Sequence, residues 1–160
     1  GGNGNGYEGT PNNACAADGA VATDANTGTN ARSASCTNAA NDRHRFWGYA
    51  FGLPASVTAI NGITVRADAG MSNNGGTSNL CVELSWDGGV SWTAAKSLTM
   101  TSSGTTTYEF GGATDRWGHT PWTLAQLGTS TFRVRITDAT DQNNKDYTLD
   151  WLRVSVAYTP

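Results

Sequence analysis

From Arg43 onward, hydrophobic and polar positions alternate with a period of two. GITVRADAG sets Ile63, Val65 and Ala67 against Thr64, Arg66 and Asp68. LCVELSW places Leu80, Val82, Leu84 and Trp86 on one side. TTTYEFGG follows, then TFRVRITDA with Phe132, Val134 and Ile136, and YTLDWLRVSVAY with Leu152, Val154, Val156 and Tyr158. RFWGYAF reads as a short aromatic strand ending at Leu53-Pro54. Successive side chains of a strand point to opposite faces, so each run predicts a half-buried strand. Turn clusters such as NNGGTSN, TSSGT and DATDQNNK separate them. No stretch holds an apolar period of 3.6 residues for ten positions, although TPWTLAQLG has the pattern of one helical turn. Six to eight strands without crossover helices predict an all-β, antiparallel, two-sheet β-sandwich with jelly-roll connections.

Residues 1–42 differ. They are nearly free of large apolar groups and rich in Asn, Thr, Ala, Gly and Ser, so they are expected to pair as a strand or lie as a pinned loop. The opening GGNGNG reads as a Gly/Asn linker remnant over residues 1–6, with one domain over 7–160, and the chain as a piece of a larger protein.

Charge narrows the class. Only 14% of residues are charged, against about 25% in average domains, and the formal net charge is −3. Two lysines and eight scattered arginines form no basic face in the sequence, which argues against nucleic acid as a partner. No apolar run reaches the roughly 18 residues of a membrane-spanning helix, so no membrane partner is expected. A polar, weakly charged surface is common in secreted proteins, and the expected site of action is extracellular. There the shorter cysteine pairing, Cys15–Cys36, is expected to staple the N-terminal stretch. Cys81 then reads as a small buried hydrophobe within its strand. No cysteine spacing suits zinc, and His44 and His119 stand alone.

The stretch SWDGGVSW (Ser85–Trp92) is a hairpin connection, with an aspartate to accept backbone N–H groups and glycines to supply positive φ. Ser85, Asp87, Gly89 and Trp92 match S-x-D-x-G-x-x-W, and the stretch resembles the Asp-box hairpin of sialidases and other secreted β proteins. That resemblance implies a structural role for Asp87 and Trp92. The YEG segment, the RFWGYAF strand, the SWDGG hairpin, the DRWG…W loop and the closing LDWLRVSVAY strand together resemble non-catalytic carbohydrate-binding modules of secreted bacterial polysaccharide-degrading enzymes. The resemblance spans most of residues 7–158. It implies a β-sandwich, a polysaccharide or oligosaccharide partner such as a β-glucan or related plant cell-wall polymer, a covalently linked catalytic domain, and a monomer. Jelly-roll modules of this kind often hold a structural Ca²⁺ between the first and last strands. Glu8 and Asp150 are the matching candidates here, with Asp138, Asp141 and Asp146 of the turn DATDQNNKD as the alternative.

No enzyme is expected. A glycosidase needs two carboxylates facing each other across a sugar, and the strand glutamates Glu83 and Glu109 read instead as partners for Arg66 or Arg135. No GxSxG elbow accompanies either histidine. Binding fits better. Six Trp, five Tyr and four Phe exceed what a small sandwich needs inside. An exposed indole covers the C–H face of a pyranose, while nearby polar side chains take its hydroxyl rim. Trp47 shares a side with Arg43, Arg45, Tyr49 and Phe51, and reads either as a sugar platform or as packing between sheets. Trp117, flanked by Asp115, Arg116 and His119, is a contact candidate, whereas Trp122 and Leu127 read as a plug over the sheet end. Trp151 lies opposite the Leu152–Val154–Val156 stripe, as a platform or beneath the N-terminal segment. Trp86 reads as core. The expected binding set is Trp47, Tyr49, Arg45, Trp117, Arg116, Asp115 and Trp151.

Overall fold

The computed structural model describes residues 6–27 and 31–160. Eight strands are present among them: β1 (Ala22–Thr27), β2 (Asp42–Trp47), β3 (Ala59–Met71), β4 (Ser78–Ser85), β5 (Lys96–Thr99), β6 (Thr106–Gly111), β7 (Arg133–Thr140) and β8 (Lys145–Thr159). They form two antiparallel four-stranded sheets, in the orders β1-β8-β3-β6 and β2-β7-β4-β5. The partners nest as first with last, second with seventh, third with sixth and fourth with fifth. That nesting is the jelly-roll double Greek key, as the alternation predicts.

The core lies between the sheets and is built from the predicted stripes. Ile63 and Val65 of β3, Leu80, Val82 and Leu84 of β4, and Val134 and Ile136 of β7 are all fully buried. Each such side chain contributes about 1.5–3 kcal/mol of transfer free energy. On β8 the alternation changes phase. Asp68 pairs with Trp151 but Ala69 pairs with Leu149, so Asp150 is an extra residue in the ladder. This bulge lets both Leu149 and Leu152 face the core and turns Trp151 outward.

One strand expectation changes. β2 stops at Trp47, because Gly48 (φ 87°) and Gly52 (φ 61°) adopt left-handed conformations that end the ladder. Tyr49 and Phe51 then stack on each other and meet Phe132 edge-on, so they leave the face that carries Arg43, Arg45 and Trp47. The N-terminal stretch pairs as a strand, one of its two expected forms. It supplies β1, a 3₁₀ turn at Pro11–Ala14, and the buried Tyr7, Ala14 and Ala22. Of the predicted linker, residues 1–5 lie outside the described residues. Gly6 is buried, and a Cβ there would sit 2.6 Å from the Arg43 carbonyl oxygen, so the chain is already docked on β2 at that point.

The disulfide joins Cys36 to Cys81, not Cys15 to Cys36, and Cys15 is free and exposed. The reason lies in β4. Leu80, Val82 and Leu84 point inward, so Cys81 points outward with Glu83. It is buried because the 33–41 segment crosses the outer face above it. Ser33 bridges to Thr140, Asn79 Nδ2 donates to the Ala34 carbonyl at 2.8 Å, and Arg43 donates to the Asn38 carbonyl at 2.8 Å. A disulfide of this kind persists in an oxidising compartment. Among the described residues no helix is long and apolar enough to cross a membrane.

Candidate functional site

β2 is the edge strand of its sheet, and its last residue, Trp47, is 62% exposed, the largest exposure of any aromatic ring among the described residues. The ring stands between two hollows. One, about 280 Å³, is lined by Ala14, Cys15, Tyr49, Trp151 and Arg153, and the other, about 310 Å³, by Pro11, Asn12, His44 and Arg45. Trp47, Phe46 and Cys15 line both, so the two hollows form one groove along the open edge between the sheets. Its floor is Phe46, which packs with His44 and with the buried Tyr7.

Four predicted binding residues therefore come together at this groove: Trp47, Tyr49, Arg45 and Trp151. Their roles differ. Trp47 presents its ring to solvent, with the Arg133 guanidinium 5.2 Å from the ring centroid. Trp151 is half-buried between Arg66 (5.2 Å) and Arg153 (5.5 Å), and the Cys15 backbone bridges to it. Tyr49 is a wall held by Phe51 and Phe132, and burial pushes its phenol up. Arg45 is exposed, 5.6 Å from the Trp92 ring.

The other three predicted residues lie elsewhere. Trp117 is 3% exposed, and its indole N–H donates to the Ile63 carbonyl at 2.8 Å. It closes the sandwich beside β6, where Gly111 is needed because a Cβ would lie 2.6 Å from the indole nitrogen. Asp115 accepts the Trp117 backbone N–H and pairs with Lys96, both at 2.8 Å. The hydrogen bond from Lys96 leads the effects that hold its carboxyl low. Arg116 is exposed, but its carbonyl is engaged by the Trp122 indole N–H. Trp122 is buried with Leu127, which is the predicted plug. Trp86 packs at the same end, its ring stacked on His119 at 3.9 Å, a pairing that nothing in the sequence announces.

Glu8 and Asp150 do not meet. Glu8 accepts the Ala25 N–H at 3.1 Å and Asp150 the Gly19 N–H at 2.9 Å, so they fasten opposite ends of the stretch that contains β1. Of the alternative set, Asp141 accepts the Thr77 N–H and Asp146 the Asn26 N–H, each at 2.9 Å. Asp138 is buried and receives the Tyr7 hydroxyl at 3.1 Å. Among the described residues no three His, Cys, Asp or Glu side chains are placed to share a metal ion. Asp138 instead forms a buried acidic pair with Asp24 of β1. Burial, followed by the Asp138 charge, pushes the Asp24 carboxyl up to about 10, and burial pushes Asp138 up to about 7.

The hairpin is a turn, as expected. Asp87 accepts the Ser85 hydroxyl at 2.9 Å and the backbone N–H groups of Val90 and Ser91 at 3.1 and 2.8 Å, and the Trp92 indole donates to the Gly89 carbonyl at 3.0 Å. The hydrogen bond from Ser91 leads the effects that hold the Asp87 carboxyl low. The strand glutamates differ. Arg135 binds Glu83 through two bonds of 2.6 and 2.7 Å; Glu109 lies opposite Arg66 in the ladder, but the Arg66 guanidinium binds Asp68 at 2.9 and 3.1 Å. Compared with known protein families, curated proteins and solved structures, the chain matches none of them.

Proposed function

We propose that the chain is a non-catalytic, secreted carbohydrate-binding module that holds a covalently linked enzyme close to a polysaccharide, a β-glucan or related plant cell-wall polymer. The observation that carries this reading is the solvent-facing ring of Trp47 at the centre of an edge groove that also contains Tyr49, Trp151 and Arg45. A flat indole with polar neighbours is the surface that a pyranose requires, a C–H face with hydroxyls around it. The Cys36–Cys81 bond supports an extracellular setting. Binding through one platform is expected to be modest, micromolar to millimolar or about −8 to −4 kcal/mol, and to be raised by tethering.

The test is affinity electrophoresis and calorimetry of the wild-type chain and Trp47→Ala against a panel of neutral and acidic polysaccharides. Binding that Trp47→Ala removes supports the reading. Absence of binding to every polysaccharide by a folded chain overturns it. A structural or adhesive β-sandwich with no sugar ligand is then favoured, a reading supported by Trp117 and Trp122, which the fold buries entirely.

A further inference from the structure

The face beside the groove carries a charge imbalance that the fold does not need. In the β2–β7 ladder Arg45 lies directly opposite Arg135, and Trp47 opposite Arg133. Like charges facing each other across a ladder destabilise it. Arg135 is neutralised by Glu83. Arg45 and Arg133 are not: neither forms an ion pair with a carboxylate among the described residues. Glu83, in the same ladder row as Arg45, is taken by Arg135, and Asp87 of the hairpin is engaged by Ser85, Val90 and Ser91. The chain as a whole is acidic, with a formal net charge of −3, so the positive patch is not the overflow of a basic protein.

The two arginines are also held in position. Arg133 lies over Trp47, and Arg45 shares the Trp92 ring with Arg135, whose guanidinium is 4.2 Å from the centroid. The hairpin comes close enough to confine both. A Cβ at Gly89 (φ 91°) would fall 3.3 Å from Arg133 Cδ and 3.7 Å from Arg45 Nη1. An arginine without a carboxylate partner keeps N–H donors for the paired oxygens of a carboxylate or sulfate; Arg45 offers its own at the surface, while the Nε of half-buried Arg133 is buried without a partner. This fixes the chemistry of a ligand: a flat ring for Trp47 and an anionic group for the arginines beside it.

Building on the carbohydrate-binding reading, we propose that this face recognises an anionic polysaccharide, with a sugar ring on Trp47 and its uronate or sulfate groups on Arg45 and Arg133. With Arg43 of the same side turned to the Asn38 carbonyl, Arg45 and Arg133 form a local contact for one or two charges. A nucleic-acid site would need a longer row of phosphate contacts.

The test compares polygalacturonate and alginate (carboxylate arms), carrageenan (sulfate arm) and cellulose, xylan and mixed-linkage glucan (neutral arms), with double-stranded DNA as a polyanion control. Wild type, Arg45→Gln, the Arg45→Gln/Arg133→Gln pair and Trp47→Ala are each checked for an unchanged thermal midpoint. The expected result is preference for an acidic polymer that weakens with added salt. A loss of about tenfold is expected for Arg45→Gln and more for the pair, with weak neutral binding untouched. Trp47→Ala should weaken acidic and neutral binding alike. Because Arg45 is exposed, its single variant decides the matter even if the pair is unstable. Neutral polymers bound as tightly as acidic ones, or acidic binding unmoved by Arg45→Gln, would overturn the inference and leave the carbohydrate-binding reading intact. DNA bound as tightly as the acidic polymers would overturn it in favour of a general polyanion surface. No binding to any polysaccharide would overturn both.

Discussion

The dipeptide Trp-Gly occurs at 47–48 and again at 117–118, each time in a polar setting that includes arginine, and the two indoles have opposite fates. Both glycines are in the left-handed region, with φ of 87° and 71°. Trp117 turns inward, gives its N–H to the Ile63 carbonyl and is 3% exposed. Trp47 turns outward at the end of an edge strand and is 62% exposed. The difference arises from what each ring finds. The Ile63 carbonyl, which also accepts the Gly112 N–H, receives the Trp117 indole, whereas the inward positions of β2 are already filled by His44 and Phe46 against Tyr7. Aromatic residues near charges in the sequence do not mark a binding surface; a ring left without a buried partner does.

The contrast breaks most sharply on stability. Trp117→Ala is expected to cost about 3–5 kcal/mol in chemical denaturation through the cavity it leaves. Trp47→Ala should change stability by less than about 0.5 kcal/mol. Equal losses for the two would erase the distinction.

A second separation runs along β2 itself, whose first residue, Asp42, pairs with Asp138 and whose last is Trp47. Asp24 and Asp138 hold their protons more tightly in the fold than in the unfolded chain. Their contribution is therefore complete below the ordinary carboxylate range near pH 4. It is lost as pH rises towards about 7 for Asp138 and about 10 for Asp24. Stability should fall across that window, with a slope approaching about 1.4 kcal/mol per pH unit for each proton held. Asp24→Asn should flatten the curve while Trp47→Ala leaves its shape unchanged. A wild-type stability that climbs from pH 4 to 7 would contradict the buried acid pair.

On binding the roles reverse. Trp47→Ala should weaken polysaccharide affinity about tenfold, equivalent to about 1.4 kcal/mol. The smallest effect expected is protection of Cys15. This free, exposed thiol lines both hollows beside Trp47. A saturating oligosaccharide should slow its alkylation by a neutral maleimide several-fold, and unchanged labelling would place the ligand elsewhere.

Period-two alternation made most of the architecture legible, because Leu80, Val82, Leu84, Val134 and Ile136 occupy the core positions it assigns. It failed where one residue changed the backbone. In RFWGYAF the aromatic pattern runs past Gly48, but the ladder cannot. In β8 the extra residue at Asp150 shifts the phase. Part of the site was also readable, since Arg45 and Trp47 share a parity and Trp151 opposes the apolar stripe. Trp117 misled because its partner is a carbonyl some fifty residues away, beyond the reach of local pattern. The cysteine expectation weighed loop length alone. The parity of Cys81 with Glu83 already placed the thiol on the outer face, where a covering segment was needed. The approach of Arg45 and Arg135 to the Trp92 ring and the pairing of Asp24 with Asp138 join distant strands and leave no trace in local sequence.

The covalent tie between Cys36 and the middle of β4 also shapes how the chain matures. Cys15 lies less than half as far from Cys36 in sequence as Cys81 does. In the unstructured chain the non-native link is thus favoured by the cheaper ring closure, on the order of 0.6 kcal/mol per doubling of length. Correct oxidation depends on β4 having joined its sheet before the thiols react. Where oxidation outruns folding, a trapped isomer accumulates with Cys81 unpaired, and a thiol–disulfide shuffling catalyst would raise the yield of native protein.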